Sequence, residues 1–241
     1  MLKHAKFGFL FLAIALLWPA LTLFQAAPAN SGASTEGNIA RVLARILEQV
    51  QYSHQPFDDN MSRKFLVRYI EGLDPQHLNF FASDIDEFQA FATSLDELTK
   101  AGDTLPAHTI YDRFLHRVQQ RAAYVTDLLK SEPFEFSGQD QYVVDRKREP
   151  WPKTLDAAHQ LWRQRARFEY LQEKLNDKSG AEITESLRKR YQGLERTVRE
   201  MKDEDGEIYL SSLAGAYDPH SVYLGHEEFE NLNISMKLSL V

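Results

Sequence analysis

From residue 39 onward, apolar side chains recur every three or four positions, the spacing of one buried helix face. Ile39, Val42, Leu43, Ile46, Leu47 and Val50 mark a first helix. Met61, Phe65, Leu66, Tyr69, Ile70 and Leu73 mark a second, which stops at Gly72 to Pro75 because proline cannot continue a helix. Ser83 with Asp86 reads as a capping box. It opens a third helix through Ile85, Phe88, Phe91, Ala92, Leu95 and Leu98, closed by Gly102. Thr104 and Pro106 start a longer helix with Ile110, Phe114, Val118, Ala122, Val125 and Leu129 on its face, stopped by Pro133. A helical hairpin follows, its first arm carrying Leu155, Leu161, Trp162 and Phe168 and its second Ile183, Leu187, Tyr191, Leu194 and Val198. Glu185 with Lys189 and Glu195 with Arg199 are favourable i,i+4 pairs on the second arm. A last helix runs through Ile208, Tyr209, Leu213 and Ala216.

Two stretches leave this period. Residues 133–153 hold Pro133, Gly138, Pro150 and Pro152, with short extended runs at 134–136 and 142–144, so an ordered loop or small hairpin is expected. At the end, Ile234, Met236, Leu238 and Leu240 alternate with polar residues, the period of a strand. A helical domain offers such a strand no sheet, and an uncovered apolar edge aggregates. The strand is therefore expected to lead into another domain. Pairing with 142–144, or self-association with a second copy through 234–241, is the alternative. The fold class is mainly α: a bundle-like set of about seven helices with a small irregular or β segment and a terminal strand.

Residues 7–24 form an apolar run after Lys3, His4 and Lys6, followed by small residues and Ala27-Pro28-Ala29. This reads as an export signal over 1–29 with an uncertain cleavage point, or else an uncleaved anchor. The expected location is periplasmic. The domain plan is thus signal 1–29, helical domain 30–224 and connection 225–241. The chain has net charge −7, and without 1–29 it keeps 26 basic against 35 acidic residues, or −9. That balance argues against nucleic acid and against a basic membrane-binding patch, so no membrane contact is expected beyond the signal segment. With no cysteine, disulfides, thiolate metal sites and a cysteine nucleophile are excluded. No histidine shows zinc spacing, and there is no Gly-x-Ser-x-Gly, His-Glu-x-x-His, phosphate loop or dinucleotide fingerprint. Catalytic, cofactor and metal residues are all expected to be absent.

One pattern occurs twice, each time after a helix: Leu73-Asp74-Pro75-Gln76-His77-Leu78-Asn79-Phe80 and Tyr217-Asp218-Pro219-His220-Ser221-Val222-Tyr223-Leu224. Asp before Pro leaves the α region, and its carboxylate can accept backbone N–H groups in the turn. The His is placed to donate to a freed carbonyl at the helix end. Trp151, held between Pro150 and Pro152, is expected to pin the irregular stretch onto the helical body. Asp74, Pro75, His77, Trp151, Trp162, Asp218, Pro219, His220 and Tyr223 are the structural candidates.

These stretches, with Ser83 to Phe88, Tyr111 to Phe114, Arg148 to Pro152, Leu161 to Arg163, Arg190-Tyr191 and Asn233 to Met236, resemble the amino-terminal helical domain of the tail-specific, or carboxyl-terminal processing, proteases of the S41 type. The resemblance implies a cell-envelope protein whose helical domain is followed by a strand, a PDZ domain that recognises a substrate carboxyl terminus, and a core with a Ser nucleophile and a Lys base. None of these residues has a counterpart among the 241, so the chain is expected to be truncated before the core and inactive alone. Its expected partner is that core, in cis or in trans. The alternative is a standalone envelope module that binds or regulates a protease core or another protein through its terminal strand.

Overall fold

The computed structural model describes residues 34–238, apart from 53, 132, 133, 137, 139 and 140. The expected signal segment and residues 239–241 lie outside the described residues. The described chain forms nine α-helices and no strand. They are α1 (Thr35–Val50), α2 (Asp59–Leu73), α3 (Ala82–Phe88), α4 (Leu95–Ala101), α5 (Leu105–Ser131), α6 (Leu155–Lys174), α7 (Gly180–Glu200), α8 (Asp205–Tyr217) and α9 (His226–Leu238). None is long and apolar enough to cross a membrane.

Local chemistry sets the helix ends. The Ser34 hydroxyl accepts from Gly37 N–H at 3.0 Å, Asp58 accepts from Asn60 and Met61, and Thr154 accepts from Ala157. Ser179 and Glu182 form a reciprocal capping box at the α6–α7 turn. Gly102 ends α4 at φ 78°, and its carbonyl would lie 2.2 Å from any Cβ at Gly37, so α1 and α4 meet where neither has a side chain.

The 27-residue α5, about 40 Å long, is the spine. Its first half (Ala107, Ile110, Tyr111, Phe114, Val118) packs with α1, α2, α4 and α8 in one core. Its second half (Ala122, Val125, Leu128, Leu129) packs with α6 and α7 around the fully buried Trp162 in another. The hairpin of α6 and α7 carries the expected ion pairs, Glu185–Lys189 at 3.4 Å and Glu195–Arg199.

Three expectations are corrected. The single third helix is broken into α3, a 3-10 turn over Gln89–Phe91, and α4. Here Ser62 Oγ donates to Asp96 Oδ1 at 2.8 Å and accepts from Asp96 N–H at 3.0 Å, which ties the start of α4 to α2. The capping box placed at Ser83 is shifted: α3 starts at Ala82, and the Asp84 carboxylate accepts from Phe81 N–H at 2.8 Å. Over the described residues the terminal strand is not formed, because residues through 238 belong to α9. With no sheet among the described residues, the segment satisfies its backbone internally as a helix. Residues 134–136 and 142–144 likewise form no strand, and the described residues between α5 and α6 are irregular.

Candidate functional site

The first Asp-Pro turn is a buried hub. Asp74 caps the end of α2, and its carboxylate accepts from Leu78 N–H and Asn79 Nδ2 on one oxygen. The other oxygen accepts from Asn79 N–H and Phe80 N–H at 3.0 Å and from the Trp151 indole at 3.2 Å. All these donors are neutral, so N–H dipoles stabilise the buried anion. Pro75 is exposed at the apex. His77 is buried at φ 50°, a left-handed conformation that costs a non-glycine residue about 1–3 kcal/mol. Its ring stacks on Trp151 at 3.6 Å, Nδ1 donates to the Glu149 carbonyl, and Nε2 lies 3.2 Å from both Glu71 carboxylate oxygens.

The turn and the start of α3 are held to the irregular segment and to α6 at further points. Gln76 accepts from Arg146 N–H at 2.8 Å, Ala82 N–H donates to the Pro152 carbonyl at 3.0 Å, and the Trp162 indole donates to the Leu78 carbonyl at 2.6 Å. Asp74, His77, Trp151 and Trp162 are thus brought together, with Pro75 at their edge. Next to them, Asp84 is fully buried. Burial alone would push its carboxyl up, but hydrogen bonds from Arg117, Phe81 N–H and Arg113 hold it below the usual range. Asn79 completes the hub from within the repeated motif, and Glu71 and the Glu149 carbonyl join it with no signal in the sequence, since isolated polar groups carry no periodicity.

The second turn is built differently. Asp218 is half-buried and accepts from His220 N–H at 3.2 Å and Ser221 Oγ at 3.0 Å. These two bonds hold its carboxyl below the usual range. Pro219 and His220 are exposed. The Tyr223 carbonyl accepts from Ser211 Oγ at 2.7 Å, and its ring packs at the core's edge. Neither turn assembles a nucleophile with a base.

What surrounds the second turn is apolar. Tyr223 joins Ile39, Val42, Leu43 and Ile46 of α1 around an open groove of about 400 Å³. Val42 is 54% exposed and Val222 61%. The described side chains of α9 are not buried, so Phe229, Leu232 and Ile234 face water. On a helix Phe229, Leu232 and Met236 share a face while Ile234 lies across from them, so α9 carries one exposed apolar stripe. Exposed apolar patches of this kind are the surfaces on which interaction sites are commonly built.

Residues 43–227 match the protein-family model described as tail specific protease N-terminal domain. The chain is also similar to the tail-specific protease of Haemophilus influenzae, at 38% identity over 196 residues. That alignment covers 80% of this chain and 28% of the Haemophilus protein, so the chain spans well under a third of that relative's length.

Proposed function

Since the chain belongs to the family of tail-specific protease N-terminal domains, we propose that it is the non-catalytic helical part of a periplasmic, serine-type tail-specific protease. Its role is to dock against the PDZ and protease core, which supplies the Ser nucleophile and Lys base, and to shape how substrate reaches them. Residues 1–29 act as the export signal, 30–224 as the docking domain and 225–241 as the connection.

The observation that carries this reading is the exposed apolar surface of α1, Val222 and α9, which come from the two ends of the family match. A buried interface would cover side chains that are costly to leave in water, at roughly 25 cal/mol for each Å² removed. The structural candidates split accordingly: Asp74, Pro75, His77, Trp151 and Trp162 hold the domain together, whereas Asp218, Pro219, His220 and Tyr223 shape the docking face.

The test has two arms. The full chain alone should leave an unstructured protein uncut, and it should associate with a separately produced protease core. Phe229→Asp with Leu232→Asp should abolish that association while the helical spectrum and melting stay unchanged. Turnover by the chain alone, or association that survives the double variant, would overturn the proposal.

A further inference from the structure

We propose that Glu36, His108 and Asp205 build a site for one divalent transition-metal ion of the zinc type, with Glu36 Oε1 and His108 Nε2 as direct ligands and Asp205 orienting the imidazole. The three residues come from the first turns of α1, α5 and α8, and one ligand atom from each lies within 4.8 Å of the others. Their sequence separation explains why no zinc spacing is visible along the chain.

The geometry follows an ordering familiar from metal-bound histidines, in which a carboxylate on the far nitrogen fixes the tautomer and raises ligand basicity. Asp205 is buried, with its side chain 3% exposed, and its Oδ2 lies 2.7 Å from His108 Nδ1. That turns Nε2 toward Glu36 Oε1, 3.6 Å away, with the Thr104 hydroxyl on its other side at 3.5 Å. The gap to Oε1 is too long for a hydrogen bond. It suits two atoms that each bind zinc at about 2.0–2.1 Å.

Two further observations point to an occupant. Glu36 Oε1 is shut off from water and has no hydrogen-bond partner. A carboxylate oxygen without water or a donor is expensive unless a cation meets it. The carboxylate also fits because residue 206 is glycine: a Cβ there would lie 2.6 Å from Glu36 Cδ and 2.8 Å from Oε1. Imidazole with carboxylate suits zinc and its neighbours in the first transition row. The remaining atoms of the Glu36 and His108 side chains are partly exposed, at 32% and 41%, so the site lies at the edge of the protein while Oε1 itself faces inward.

The competing occupant is a proton. Burial alone would lower the His108 pKa, but the hydrogen bond to Asp205 and the charges of Asp205, Glu36 and Asp112 raise it. A protonated imidazole between two carboxylates would satisfy much of the same charge.

The experiment is calorimetric titration of the full, metal-stripped chain with Zn²⁺ at fixed neutral pH. The expected result is one equivalent bound in the micromolar range. Glu36→Gln and His108→Gln should each weaken binding at least ~10-fold and Asp205→Asn about 10-fold. His226→Gln, on exposed α9, should leave it unchanged. Because a variant can fail to fold, Zn²⁺ is also added to the unsubstituted chain while the imidazole nitrogens are followed by NMR, where His108 Nε2 should shift. No measurable binding, an unmoved His108 Nε2 at saturating Zn²⁺, or wild-type affinity in folded Glu36→Gln and His108→Gln would overturn the proposal in favour of a protonated His108 bridge.

Discussion

Asp74 and Asp218 each end a core helix just before a proline and a nearby histidine, yet they do different work. Asp74 is buried beneath donors that include the indole of Trp151, 77 residues away. Asp218 is half-exposed and bonds within its own turn. His77 is packed between Trp151, Glu149 and Glu71, whereas His220 faces water. The Asp-Pro pair fixes where the helix stops in both cases. The role of the turn is decided by what a distant segment brings to it. In the first turn that is residues 146–152, and the result is a pin. The second turn instead borders the apolar groove on α1, the docking face proposed above.

The largest expected contrast is between Asp74→Ala and Asp218→Ala. The first strands several buried donors, each costing roughly 1–3 kcal/mol, so a total loss of about 3–5 kcal/mol in urea unfolding is expected. The second leaves its donors to water, and its unfolding midpoint should barely move. Equal losses in the two variants would erase the distinction. Next is Trp162→Phe, which removes the donor to the Leu78 carbonyl and leaves a void in the second core. It should cost about 2–4 kcal/mol. Trp151→Phe keeps an aromatic ring against His77 but drops the bond to Asp74, and about 1 kcal/mol is expected.

A smaller, pH-dependent effect sharpens the same comparison. Asp84 sits beside the pin with its carboxyl held below the ordinary value of 3.8. Its contribution is therefore fully present above that value and is lost as pH falls through the lower folded-state value. Below about pH 4 the unsubstituted chain should lose stability more steeply than Asp84→Asn. Parallel acid profiles would assign no such role to the Arg113 and Arg117 pairing.

Helix existence was legible because apolar spacing survives without tertiary information: α1, α2, α5, α6, α7 and α8 all lie where their stripes predict. Breaks imposed from outside were not. The interruption before α4 depends on Ser62 meeting Asp96, which no local pattern announces. The alternation at Ile234, Met236 and Leu238 is real as a pattern, but a strand needs a neighbour, and α9 forms where none is present. At the candidate sites, Asp74, His77 and Trp151 could be singled out by type, and the Asp-Pro turn by its backbone restriction. Their convergence could not be read, nor could the meeting of Glu36, His108 and Asp205 from three helices, because side-chain contacts across long separations leave no periodic trace.

The most direct test is hydrogen exchange on the full chain, with and without a protease core taken from the Haemophilus influenzae relative. The account predicts new protection in α1, at residues 222–223 and in α9, with exchange at 74–81 and 146–152 unchanged because the pin is already closed. Protection that appears at the pin while α1 and α9 exchange as before would contradict it.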